Sequence, residues 1–299
     1  TRSMASGEIR LDGAEAYLVG ERGRGFNQMA DMVNNSRLSN GVRAAGLMRR
    51  AVTEALFIAR HRQAFGKRLI ELPLMRRQLA KMMVTAEQAR TMMFLTADAL
   101  DRANQGDATG AKLARIMTPL IKFRACRDAR RVTGDAMEVR GGCGYIEEWS
   151  DARLVRDAHL GSIWEGTSNI VALDVSRAIA RDEALPALKA RNEELLAAAK
   201  LDAETQALFA GTLERTCAFA ADVAARKSDV LARQSASALY HITTAIGLAR
   251  EANQLGLPRR GAFARMVLTH RLLPRDPLAA EEDTAALDAG LISAAQAVE

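Results

Sequence analysis

From Phe26 onward apolar residues return every three, four or five positions: Met29, Met32, Val33, Leu38, Val42, Leu47, Val52 and Leu56. That spacing gathers them on one face of a helix, and it predicts one long helix ending near Arg62, before Gly66 breaks the pattern. A second helix is predicted from Pro73, a residue suited to a first helical turn, through Leu79, Met83, Ala86, Met93 and Leu100 to about Asn104. Gln105-Gly106-Asp107 reads as a turn. A third helix from about Thr109 carries Leu113, Ile116, Leu120, Phe123, Ala129 and Val132 toward Met137, with a kink expected at Pro119 and a stop at Gly141-Gly142. A loop and a short helix then lead to SIWEGTSNI, after which Ile170, Leu173, Val175 and Ile179 mark a fourth helix. Four long helices joined by short turns are expected to pack antiparallel as a bundle.

The flanks differ. Before the first helix, GEIRLDGAEAYLVGERGRG alternates over Glu8 to Leu11 and Ala16 to Val19 around Asp12-Gly13, the signature of a β-hairpin. Two strands cannot bury a sheet face alone, so the hairpin is expected to be the remnant of a larger β domain and the chain a fragment. After Arg181 the sequence becomes charged and alanine-rich, with weaker helical stretches at Thr212 to Ala232, Ser235 to Asn253 and Arg259 to Leu273, set apart by Pro258, Pro274 and Pro277. The expected organisation is therefore residues 1–24 as β remnant, 25–181 as helical bundle and 182–299 as helical extension, a mostly all-α fold.

Composition agrees with helices: alanine, leucine and arginine dominate the 299 residues, and proline and aromatics are scarce. No apolar run is long enough to span a bilayer and TRSMASGEIR lacks a signal-peptide core, so a cytoplasmic protein is expected. Cys126, Cys143 and Cys217 and the four histidines are too dispersed for metal-ligand spacing. Met82, Met83, Met92, Met93 and Met117 are expected to fill the bundle. The net charge of +6 suits anionic ligands, either a phosphate-bearing cofactor or nucleic acid, but it is also common among unspecialised soluble proteins and by itself decides nothing.

Three stretches carry candidate chemistry. RQAFGKRL, from Arg62, ends a helix with cations and a glycine, which serves either as a cap or as a cradle for a diphosphate. GGCGY, from Gly141, either turns the chain or admits a ligand close to the backbone. In SIWEGTSNI, Glu165 lies between Trp164 and Gly166, where a helix-start carboxylate favoured by the dipole is the ordinary reading. Taken in order, LVGERGRGF, RQAFGK, EVRGGCGY and LVRDAHLGSIWEGTSNI resemble the acyl-CoA dehydrogenase family over about Gly7 to Arg181: the end of its middle β domain and its C-terminal helical bundle. RQAFGKRLIELPLMRRQLAKM, the glutamate of MEVRGGCGY and WEGTSNIVALDVSRA resemble its AidB-like branch, whose members carry a helical segment after the bundle.

The resemblance implies an FAD-dependent oxidoreductase that desaturates an acyl-CoA thioester between its α and β carbons. Glu165 is then the base that takes the α proton. The alternative base position, just before Arg37, is Ser36, which has no carboxylate. Arg37, Trp164 and Gly166 are implied to face the substrate. Arg62, Phe65, Glu138, Gly141 and Gly142 are implied to touch the FAD of a neighbouring subunit, and Thr167, Ser168 and Asn169 to approach the cofactor's diphosphate side, in a homodimer or homotetramer. Glu138 replaces a common glutamine and Ala64 a common hydroxyl residue. A base that removes an α proton needs a water-poor site, which Ile163 and Trp164 are expected to supply. An acyl-CoA oxidase would use the same residues, and an AidB-like DNA-binding flavoprotein of the alkylation response is the competing reading. The stretch Arg226 to Arg275 holds nine Arg and Lys against Asp229 and Glu251, but no aromatics alternate with them to stack bases. The acyl group and the electron acceptor stay open.

Overall fold

The structure is a computed structural model and describes residues 7–276, 278 and 290–293. Helix α1 (Gly25–His61) leads through two short paired strands, β1 (Gln63–Ala64) and β2 (Lys67–Arg68), and a 3-10 turn to α2 (Pro73–Asn104). Then follow α3 (Ala108–Arg140), the single turn α4 (Gly142–Tyr145), α5 (Ser150–Gly161) and α6 (Ser168–Asp182). The remaining helices are α7 (Ala184–Ala198), α8 (Ala203–Ala225), α9 (Ala232–Leu255) and α10 (Pro258–Arg271). None of the helices among the described residues is long and apolar enough to cross a membrane.

Local chemistry explains the boundaries. Pro73 occupies the first turn of α2, where its missing N–H costs nothing. Asp107 caps α3 by accepting from the Thr109 amide at 2.8 Å. The α3 helix runs unbroken through Pro119 and ends at Gly141, whose φ of +75° suits only a residue without Cβ. Its Leu113, Ile116, Leu120 and Ile121 are fully buried, packed with Leu79 and Met82 of α2 and Met48 of α1. Met82, Met83, Met92 and Met117 are buried in this core and Met93 packs against it.

The N-terminal hairpin does not form. Residues 7–24 contain no strand, and Ile9, Leu11, Tyr17 and Val19 are exposed, Tyr17 at 96 %. Alternation creates strands only where a sheet edge and an apolar surface receive them, and neither lies near this segment. The strand pair lies instead at Gln63–Ala64 and Lys67–Arg68, joined by Phe65 and Gly66 with φ of +53° and +74°.

The chain after Arg181 packs directly on the bundle. One apolar cluster runs from Met48 and Ile116 through Leu188, Leu239, Ile246 and Phe263. Helix α9 is its centre, buried nearly all round and in contact with α2, α6, α7, α8 and α10. Helix α7 fills the stretch whose even mixture of alanine and charge shows no apolar stripe in sequence. Polar groups fix the register of this seam: Gln88 Nε2 donates to Thr244 Oγ1 at 2.7 Å and to Nδ1 of His241 at 3.1 Å, and Arg260 donates to Glu87 at 2.6 Å and also pairs with Glu251. Gly247 lets α9 approach α2, since a Cβ there would sit 2.5 Å from Cγ2 of Thr91. Gly247→Ala is accordingly expected to lower the unfolding free energy by about 1–3 kcal/mol, the cost of overpacking, measurable by urea unfolding.

Candidate functional site

Glu165 sits in the turn between α5 and α6. The turn starts as a continuation of α5, with the amides of Ile163 and Trp164 both bonded to the Leu160 carbonyl at 2.9 and 3.0 Å. Glu165 and Gly166 then both take positive φ, +55° and +99°. A side chain rarely adopts that region, so Glu165 must be held there by its surroundings. Two cations do so. Arg37 Nε of α1 donates to the Glu165 carbonyl at 3.1 Å, and Lys122 Nζ of α3 donates to the Gly166 carbonyl.

Arg37 is itself braced, and Lys122 is enclosed. Arg37 Nη1 pairs with Asp174 of α6 at 2.7 Å, and Arg115 of α3 joins Asp174 to Asp182 at 2.9 Å on each side. Lys122 is 1 % exposed. Burial pushes its amine below the ordinary 10.5, with Cys126 pulling up, Arg37 pushing down and Glu165 pulling up in decreasing order. Cys126 is buried beside it, its thiol pushed up to about 11 by desolvation, so it stays protonated at neutral pH.

The side chains of the turn face outward. Glu165 is half-buried, and Trp164 is 39 % exposed with the Arg43 guanidinium 5.2 Å from its ring centre. Such a cation over an indole is worth about 0.5–2 kcal/mol. Ile163 is also exposed in this chain. Thr167, Ser168 and Asn169 begin α6, and no side chain caps them. Their first amides are donors of the kind that receives an anion at a helix start.

A second group of residues gathers at the other end of the bundle. Arg62 Nη1 donates to the Arg140 carbonyl at 2.6 Å, and a Cβ on Gly141 would lie 2.7 Å from the same nitrogen. Gly141 therefore makes room for Arg62. Glu138 is exposed, 3.4 Å from Gln78 Nε2, Phe65 is 93 % exposed on its strained turn, and Gly142 is open. Beneath them Arg140 is buried, bonded to Asp151 at 2.5 Å and Glu54 at 2.9 Å and stacked 4.8 Å from the Trp149 ring centre.

Arg37, Trp164, Glu165, Gly166 and the start of α6 thus come together, as do Arg62, Phe65, Glu138, Gly141 and Gly142. The two groups do not meet. At about 1.5 Å per helical residue, Arg37 and Arg62 are about 37 Å apart along α1. Lys122, Asp174, Arg115, Arg140 and Asp151 were missed in the sequence. Lys122 does not stand out there: it follows Thr118 and precedes Cys126 by four residues each, but Arg115, two turns earlier, lies on the same face of α3. The basic stretch from Arg226 to Arg275 is not one surface: Arg260 is buried on two carboxylates and Arg226 is paired with Asp222 at 2.5 Å.

The family model of the acyl-CoA dehydrogenase C-terminal domain matches residues 23–180. AidB of Escherichia coli (strain K12) is 39 % identical over 178 residues, 60 % of this chain and 32 % of that protein. Acyl-CoA dehydrogenase family member 11 of Caenorhabditis elegans is 34 % identical over 207 residues, 68 % of this chain and 34 % of that protein. The chain thus spans about a third of the length of these curated relatives. Among solved structures, Caenorhabditis elegans ACDH-11 in complex with C11-CoA superposes with a TM-score of 0.78 at 28 % identity, covering 86 % of this chain and 46 % of that one. That share reaches past the residues matched by the family model and into the helices after α6. This chain belongs to the acyl-CoA dehydrogenase family, whose C-terminal helical domain it carries.

Proposed function

We propose that this chain forms the C-terminal part of an FAD-dependent acyl-CoA dehydrogenase in which Glu165 is the base. The observation that carries the proposal is the turn itself: a glutamate in the left-handed region, its carbonyl and the next one each gripped by a cation from another helix. A structure that pins a backbone this firmly positions a side chain rather than merely connecting two helices. The likeness to ACDH-11, solved with C11-CoA, supports a long acyl thioester as the substrate class.

Glu165 takes the proton from the carbon α to the thioester onto a carboxylate oxygen as that C–H bond breaks. Trp164, held by Arg43, walls the base on one side, and Gly166 lets the acyl chain approach the backbone. Arg37 and Lys122 fix the direction from which the carboxylate points. Bound FAD supplies the acceptor for the β hydride. The donor set fits that cofactor: the guanidinium of Arg62 with the open backbone of Gly141 and Gly142 at one end, the first amides of α6 at the other. Glu138 is the acidic exception, and Gln78 lies beside its carboxylate.

Because the two halves are about 37 Å apart on one helix, a single cofactor is completed by two subunits, each giving its Glu165 end to one site and its Arg62 end to the next. A homodimer is the smallest such assembly. Arg62→Ala is expected to weaken FAD retention by about 1.5–3 kcal/mol, the worth of a charged hydrogen bond, while helicity is retained; equilibrium dialysis of FAD measures it. The reading as a whole is tested by anaerobic titration of the intact protein with acyl-CoAs of increasing chain length. Bleaching of the flavin absorbance is expected, and its absence with every acyl-CoA would sink the assignment.

A further inference from the structure

A cavity outside both groups of residues lies where α2 and α3 meet α10. Its volume is about 220 Å³, and it is lined by Arg77 and Lys81 of α2, Arg131 of α3, His270 and Arg271 at the end of α10, and Arg275 beyond it. Among the described residues no Asp or Glu lines it. Lys81, Arg131 and Arg271 form no salt bridge among the described residues. Like charges converging on one concavity repel, and that cost is lowered when an anion sits between them.

The chemistry around these three cations sharpens the point. Burial, and then the neighbouring Arg131, push the Arg271 guanidinium below its ordinary pKa; Asp128 opposes this. Asp128, however, is already committed to Arg124 through two bonds of 2.8 and 3.0 Å. Asp135 stands near Arg131 and Lys81: burial raises its carboxyl, while Arg131 and, more weakly, Lys81 lower it, so this one carboxylate is shared between two of the three cations. Val84 and Val267 add apolar lining, which strengthens electrostatic attraction inside the cavity. Gln88, which also lines the cavity, is held by His241 and Thr244, and burial keeps His241 neutral. The cavity therefore has one wall residue fixed by hydrogen bonds and a lining rich in cations.

We propose that this cavity is a binding site for a compact polyanion of the phosphate class, gripped by Lys81, Arg131 and Arg271. Two guanidinium forks and an ammonium match the several oxygens of a phosphate or pyrophosphate group better than the two of a carboxylate. The cations converge on one hollow instead of running along a stripe, which suits a small ligand or the phosphate end of one and not a duplex. The site joins bundle to extension, so its occupant ties α10 to α2 and α3.

The test is isothermal titration of the intact protein with inorganic pyrophosphate, and separately with inorganic phosphate, at ionic strength held constant with sodium chloride. Saturable binding is expected, tighter for pyrophosphate, together with a rise in unfolding temperature that follows occupancy. The double variant Lys81→Gln/Arg131→Gln is expected to weaken it at least ten-fold. A charge-matched control, Arg226→Gln/Lys227→Gln, is expected to leave it unchanged. Arg131→Lys keeps the charge and loses the fork, and is expected to weaken binding several-fold even if the double variant fails to fold. No saturable binding by the wild type, or equal weakening in the control, overturns the proposal. Saturation by phosphate alone at equal affinity would assign the site to a single phosphate group within the same class.

Discussion

Glu165→Gln in the intact protein is expected to leave FAD and acyl-CoA bound while slowing flavin reduction at least about 100-fold, the contribution of a positioned general base. The amide has the shape of the carboxylate and retains hydrogen bonding, but it cannot accept the α proton. The turn should be unchanged, because Arg37 and Lys122 grip the carbonyls of residues 165 and 166 and not the side chain. Stopped-flow absorbance of the flavin after mixing with substrate measures the rate. A variant that reduces as fast as the wild type would remove Glu165 from the reaction while leaving the fold and the family untouched.

The second large effect is expected at Lys122. Lys122→Met preserves most of the packed volume but strands the Gly166 carbonyl, at an expected cost of about 1–3 kcal/mol. Relief of the buried charge works the other way and keeps the loss at this scale. The difference has a pH signature. The amine's pKa is lowered in the fold from its ordinary 10.5, so the unfolded chain binds the proton more tightly, and the protonated lysine carries a penalty below the folded pKa. That penalty disappears as pH climbs toward 10.5. Wild type should thus gain stability relative to Lys122→Met across that alkaline window, as followed by urea unfolding of both proteins at a series of pH values. A parallel pair of curves would show that Lys122 does not carry a shifted proton.

The four bundle helices were legible because each has a sustained apolar stripe and a clear stop, such as the Gly141 end of α3. The N-terminal alternation misled for a physical reason: strands are completed by partners, and Ile9, Tyr17 and Val19 meet none. Helix α7 left little trace because its apolar residues are spread round it. In the candidate site, Glu165 was visible through its motif. Lys122 was not, because a lysine within a helix ordinarily points to water. Asp174 stands inside the quoted stretch WEGTSNIVALDVSRA, but nothing there marks it as the partner of Arg37 and Arg115, which meet it only once α1, α3 and α6 have packed.

Helix α1 does more than contribute core. With Arg37 about a third of the way along it and Arg62 just past its end, it is a ruler whose length sets the distance between the two groups of residues. A rod of this kind tolerates substitution far better than a change of length. Deleting one residue between them shortens the rod by only about 1.5 Å, but it rotates one end about 100° against the other. The apolar stripe that holds α1 against α3 can satisfy one half or the other, not both. Within this helix, residue count is therefore under tighter constraint than residue identity.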